Sequence, residues 1–264
     1  MKAEIAKLKE LYGDVIELTT PSGHEVILRQ QTGDDDDILS RAKDTVDGTS
    51  SNKFTQSIIV ASNITERGRL SLDDVRALKL VDKYFILIAS RVFSIGQMLK
   101  FSYEWMDGME VDYEEDLGMY IWEYGNKDKP FPKEGDDEYF KYRLKPHEFG
   151  TDTSRELPLE GGKKVRYDFM NGVAESYLMK LPEDKQSINQ ELLSRNIHLF
   201  LGDKWVKIYN FKQFNPQEMM EIRKDIDTND PTLNIASDLE HPQTGEVVPF
   251  PILGTNDFFF PRGI

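Results

Sequence analysis

The chain has 264 residues, 39% hydrophobic and 30% charged, with 47 Asp and Glu against 33 Lys and Arg, a formal charge of −14 and no cysteine. That length buries a core as one large or two small domains, and the apolar-to-charged balance is that of a folded chain. No run of Lys and Arg forms a basic groove for phosphate-driven nucleic-acid binding, and the missing thiols exclude disulfides, cysteine nucleophiles and cysteine-based zinc sites.

From the N-terminus, Ile5, Leu8, Leu11 and Tyr12 recur at helical spacing, which predicts an amphipathic helix ended by Gly13. It opens at Met1 without a secretion signal, and the longest apolar stretch, Tyr84 to Ala89, is too short to span a bilayer. Asp14 to Leu18 and His24 to Gln30 alternate around Pro21-Ser22-Gly23 and predict a hairpin with Val26 and Leu28 on its buried face. Gly33 ends the strand, and the carboxylates of Asp34 to Asp37 suit the positive end of a new helix. After the loop at Asp47 to Ser51, the apolar positions Phe54, Ile58 and Ile59 predict a second helix capped by Ser50 or Ser51. Ser71 caps a third in the same way. Leu80 to Phe93 is apolar on most faces and is expected to be the most buried helix, stopped by Gly96. Met98 to Trp105 alternates as a strand before a turn at Met106-Asp107-Gly108.

Residues 125–137, rich in Gly, Lys, Asp and Pro, are the expected linker between an N-terminal unit over 1–124 and a C-terminal unit over 138–264. The second half opens with a short patterned segment at Tyr139 to Leu144. Arg155 to Leu159 and Lys163 to Phe169 then flank Gly161-Gly162 as a second hairpin. Helices are expected at Val173 to Lys180 and Ser187 to Phe200, and an extended aromatic run at Trp205 to Phe211. Asn215-Pro216 caps a last helix carrying Met219, Ile222 and Ile226.

An internal repeat organises these elements. Glu17 to Leu39 aligns without gaps onto Glu156 to Leu178 at an offset of 139 (156 − 17), with Glu17/Glu156, Leu18/Leu157, Gly23/Gly162, Val26/Val165, Gly33/Gly172 and Leu39/Leu178 identical. Farther along, Glu110-Val111 matches Glu246-Val247, and Trp122 pairs with Phe258, at an offset of 136 (246 − 110). The expected fold class is therefore α+β, as two related units, each a hairpin followed by helices and an extended segment with a knuckle-like turn. Gly23, Gly33, Gly162 and Gly172 are the expected turn or strand-to-helix glycines.

The stretch Pro21-Ser22-Gly23, Val26, Arg29, Thr32-Gly33-Asp34-Asp35 resembles the opening signature of the T4-type baseplate hub and hub-assembly proteins of contractile phage tails. His241-Pro242-Gln243-Thr244-Gly245 stands where such proteins often carry Cys-Pro-x-Cys-Gly, and Pro251 to Pro261 with its Phe triplet resembles their usual close. The resemblance implies a structural component or assembly chaperone of the baseplate hub. Such a protein acts on other tail or hub proteins, in one or several copies, is assembled in the host cytoplasm and is located in the virion. It implies no catalytic motif and no cofactor. Without cysteine the turn at His241, Pro242 and Gly245 is expected to hold by packing and hydrogen bonds rather than by zinc.

No other pattern points to catalysis. Asp34 to Asp37 are consecutive and do not converge, and His24, His147, His198 and His241 fall on different elements. Glu114, Glu115 and Asp116 are adjacent rather than set across a cleft. Two alternatives stay open, a hub-associated lysin and an acidic module that binds a basic partner. Among Phe258, Phe259 and Phe260 at least one ring must leave the shared strand face. These rings, with Trp122, either close the core or anchor a partner subunit.

Overall fold

The computed structural model describes residues 2–41, 48–126, 128–146, 149–230, 235–254 and 256–259. His147, Phe260 and Pro261 lie outside them. The fold is mixed α+β, built on small antiparallel sheets.

Helix α1 (Lys2–Tyr12) ends where Gly13, at φ 76, returns its amide to Lys9. Strands β1 (Val15–Thr19) and β2 (Glu25–Arg29) form the first hairpin, in register Leu18↔Val26 and Ile16↔Leu28. Gly23 has φ 90 and donates to the Thr20 carbonyl, so this turn favours glycine. Thr32 and Asp35 form a reciprocal capping box that starts α2 (Gly33–Leu39).

Helix α3 (Thr49–Ile58) departs from expectation at both ends. Its N-cap is Gly48, in the left-handed region at φ 71, and Ser50 and Ser51 lie inside the first turn. Ile59, expected on the helix, opens β3 (Ile59–Ser62) and pairs with Leu28, because the open edge of β2 offers a β-branched residue backbone partners the helix end lacks. Ser71 caps α4 (Leu72–Ala77) through a capping box with Asp74. Helix α5 (Leu80–Ser94) is the central core helix, with Ile86, Ile88 and Ala89 all at 0% exposure. Each of the two isoleucines is worth roughly 1.5–3 kcal/mol of burial. Strands β4 (Met98–Glu104) and β5 (Glu110–Asp116) pair as a hairpin, a 3-10 turn follows, and α6 (Trp122–Asn126) closes the first half.

The second half repeats the order. Strands β6 (Ser154–Pro158) and β7 (Lys164–Asp168) precede α7 (Gly172–Lys180) and α8 (Ile188–Ser194). The helix expected over Ser187 to Phe200 stops early. Asn196 adopts φ 52, and His198–Leu201 becomes β8, paired to β7 through Val165↔Leu199. The apolar spacing of Ile197 and Leu199 thus serves a strand that buries both against the sheet. Strand β9 (Lys204–Lys207) completes the sheet order β6-β7-β8-β9, and the extended run predicted over Trp205 to Phe211 is regular only as far as Lys207. Helix α9 (Pro216–Asn229), capped by Asn215 and Glu218, lays Ile222 and Ile226 on this sheet. Strands β10 (Ala236–Glu240) and β11 (Val247–Pro251) and the short α10 (Asn256–Phe259) end the described chain.

The apolar cores do not divide at residues 125–137. One core joins Leu18 of β1 through Ile121 with Leu144, Ile235, Leu239, Ile252 and Phe258, so the last hairpin returns to the first unit. The other spans Leu159 to Ile226. Nor is the expected linker free. Trp122 donates Nε1–H to the Lys129 carbonyl at 3.3 Å, and Phe131 and Tyr142 lie edge-on to its ring. Between the halves, Leu80 N–H donates to Met170 O, and Lys79 Nζ donates to the carbonyls of Phe149 and Gly150. A Cβ on Gly172 would meet the Arg76 backbone at 3.2 Å, so this glycine serves close approach rather than a turn. Neither Gly172 nor Gly33 has a left-handed φ, and nothing lies within 4 Å of a Cβ built on Gly33, whose glycine the structure does not explain.

Candidate functional site

The sequence-predicted anchors turn inward. Phe258 is 0% and Trp122 5% exposed, and Arg91 Nε donates to the Phe258 carbonyl. Phe259 packs edge-on against Phe54 at 5.3 Å. Phe258 and Phe259 close the first core, because they sit on successive positions of a helical turn that wedges against α3 and α5, whereas Trp122 is buried against Phe131 and Tyr142. Phe260 lies outside the described residues.

The knuckle-like turns do meet. Gly245 has φ 69, as the turn requires, and His241 is 3% exposed with its ring 4.7 Å from Trp105. Its Nδ1 accepts the amides of Gln243 and Thr244, at 3.1 and 3.2 Å, so the proton sits on Nε2, 3.3 Å from Asp107 Oδ2. The Met109 amide, and then the His241 ring, hold the Asp107 carboxyl below the usual carboxylate range. The imidazole therefore organises the turn by hydrogen bonds. Replacing His241 by Ala is expected to cost about 2–3 kcal/mol, from two orphaned amides and a cavity beside Trp105. Asn, whose side chain accepts the same amides as an Asx turn, should recover part of that loss in urea denaturation.

The acidic residues weighed as catalytic have separate tasks. Glu114 pairs with Lys100 on the surface, Glu115 accepts from Tyr120 and Ser237 hydroxyls, and Asp116 caps Gly118. Asp35 is fully engaged by Arg29, Ser57 and Thr32, whereas Asp36 accepts from Gln31. Among the described residues no three His, Asp or Glu converge as metal ligands, and no helix is long and apolar enough to cross a membrane.

The surface with the most distinctive chemistry is one the sequence did not announce. In the β6-β7-β8-β9 sheet, Val165, Tyr167 and Leu199 face α9. The opposite face carries the cross-strand row Glu156, Arg166, His198 and Lys207, with Phe200 paired to Trp205 beside it. Arg166 stacks over the Trp205 ring at 5.0 Å, Lys164 lies 5.5 Å from the same ring, and Phe200 touches it at 5.1 Å. Beyond the strand, Lys207 approaches Tyr209, which is 76% exposed. Nearby, an open groove of about 600 Å³ is lined by Val173, Tyr177, Leu193 and Tyr209. A face of this kind binds carboxylates through its cations and apolar or planar groups through its rings. Arg166 of β7 and Lys207 of β9 are 41 residues apart in sequence (207 − 166), so no single basic run marks it. The period-two spacing Lys164/Arg166 and Trp205/Lys207/Tyr209 is the signal that carries it.

No family model, curated protein or solved structure matches the chain.

Proposed function

We infer that the chain is a structural component or assembly factor of the baseplate hub of a contractile phage tail, acting by protein contacts and not by catalysis. The observation that carries this reading is how the signature stretch is used. Pro21 to Asp35 supplies the hairpin turn, the bidentate Arg29–Asp35 pair and the capping box, all of it scaffold. The strongly perturbed ionisable groups Lys83, Tyr84, Tyr120 and Tyr167 are likewise tied to buried or half-buried carboxylates within the fold. An open face of aromatic rings and cations suits the recognition of a neighbouring subunit.

Mass spectrometry of purified contractile-tailed virions and of their tail-assembly intermediates tests the reading. Peptides of this chain are expected in the virion for a resident hub component, or only in intermediates for a departing chaperone. Absence from both, or clearing of peptidoglycan by the purified protein, overturns it.

A further inference from the structure

We propose that the outer face of β7, β8 and β9 docks on the exposed face of the β4–β5 hairpin of a second copy of this chain, head to tail. The first support is charge. The hairpin's outward residues are Lys100, Ser102, Glu104, Glu110, Asp112 and Glu114, every one exposed, so four carboxylates stand against one lysine. The sheet face of the second unit presents three cations, Lys164, Arg166 and Lys207, against one carboxylate, Glu156, which pairs with Lys164, in a chain of net charge −14. Alternate residues of a strand stand about 7 Å apart, so the Lys164–Arg166 step matches the Asp112–Glu114 step.

The second support comes from the repeat. Arg166 stands where the first unit has Ile27 (166 − 139), and Ile27 is 7% exposed on the sheet face turned away from the core. The face that is closed in one unit stays half-open in the other, with Trp205 at its centre.

Two different patches make the contact heterologous, so it builds a ring or an open chain rather than a closed pair. Net repulsion between acidic copies opposes it, but a screening length of about 8 Å at physiological salt mutes distant charges more than those in contact. The pairing deepens the contact-only reading above, yet its test needs no particle.

Light scattering or sedimentation of the purified full chain over a concentration series is expected to show mass above the monomer. Glu110→Ala/Asp112→Ala/Glu114→Ala and, separately, Arg166→Ala/Trp205→Ala/Lys207→Ala should each weaken association by about thirtyfold or more. Mixing the two variants should restore one intact contact and stop at a 1:1 pair, which two folded monomers of unrelated surface would not do. A wild type that stays monomeric at every concentration overturns the pairing and leaves the hub reading to the virion experiment. So do variants that associate like wild type, or a labelled single-stranded oligonucleotide bound at this face of a monomeric chain.

Discussion

Asp35→Ala is expected to lower stability at neutral pH by about 3–5 kcal/mol, the usual cost of leaving a buried ion pair half-made. Asp35 is 0% exposed. Arg29 donates to both of its oxygens, at 2.7 and 2.8 Å, and Ser57 and Thr32 supply the remaining donors. Without the carboxylate, Arg29 is left half-buried and unpaired, the α2 cap is lost and α3 loses its tie to α2. The melting temperature should fall by on the order of 10 °C. Removing Arg29 as well should recover much of the loss, since the penalty belongs to the orphaned cation. A loss for Asp35→Ala below about 1 kcal/mol would contradict this account.

The same variant has a pH signature. Burial alone would raise the Asp35 carboxyl, but hydrogen bonds from Arg29, Ser57 and Thr32, with the charge of Arg29, outweigh it and leave it below the ordinary value. Its contribution is therefore full above the unfolded carboxylate value and is lost as pH falls through the lower folded one. The gap between wild type and Asp35→Ala should close in that acid window. Asp82 carries the opposite sign, because burial pushes its carboxyl up and its folded form holds the proton longer. The difference between the two denaturation series isolates Asp35 from it.

Glu175→Ala is the second large effect. Lys83 lies on α5 of the first unit and is 1% exposed. Its ammonium meets Glu175 of α7 at 2.5 Å, and Tyr84 donates to the other carboxylate oxygen at 3.2 Å. Burial pulls the Lys83 ammonium below its ordinary value, and Glu175 pulls it back up. Truncating the glutamate, which is 18% exposed, strands the cation at the seam between the halves. The expected cost is about 2–4 kcal/mol, discounted for that exposure. It should be greatest at neutral pH, where both partners are charged, and shrink as rising pH removes the proton from Lys83. Lys83→Met combined with Glu175→Leu should fall within about 1 kcal/mol of wild type, since an apolar pair of similar volume avoids desolvation. A double variant as weak as Glu175→Ala alone would mean that the seam depends on the charges themselves.

These two sites differ in how far the sequence exposes them. Thr32 and Asp35 stand at capping-box spacing, so half of the Asp35 network is legible within four residues. Its other half, Ser57, is 22 residues away and arrives only when α3 packs on α2. Lys83 is a charge inside an apolar helix pattern and asks for a partner, but nothing local names Glu175, 92 positions on. The early stop of α8 has the same origin. Ile197 and Leu199 stand at i,i+2, a strand spacing that the apolar run before them masks, and the open edge of β7 supplies the partner.

From the chain alone came both hairpins, the acidic helix start at Asp34 to Asp37, the caps at Ser71 and Asn215, the central helix and the repeated order of elements. Each rests on contacts within a few residues, where turn sterics, capping hydrogen bonds and side-chain periodicity act. The return of β10 and β11 to the first core, the burial of Phe258 and Trp122 and the gathering of Arg166, Trp205 and Lys207 were decided by the tertiary structure. These depend on which distant surfaces desolvate each other, and that free energy belongs to pairs of segments rather than to either one.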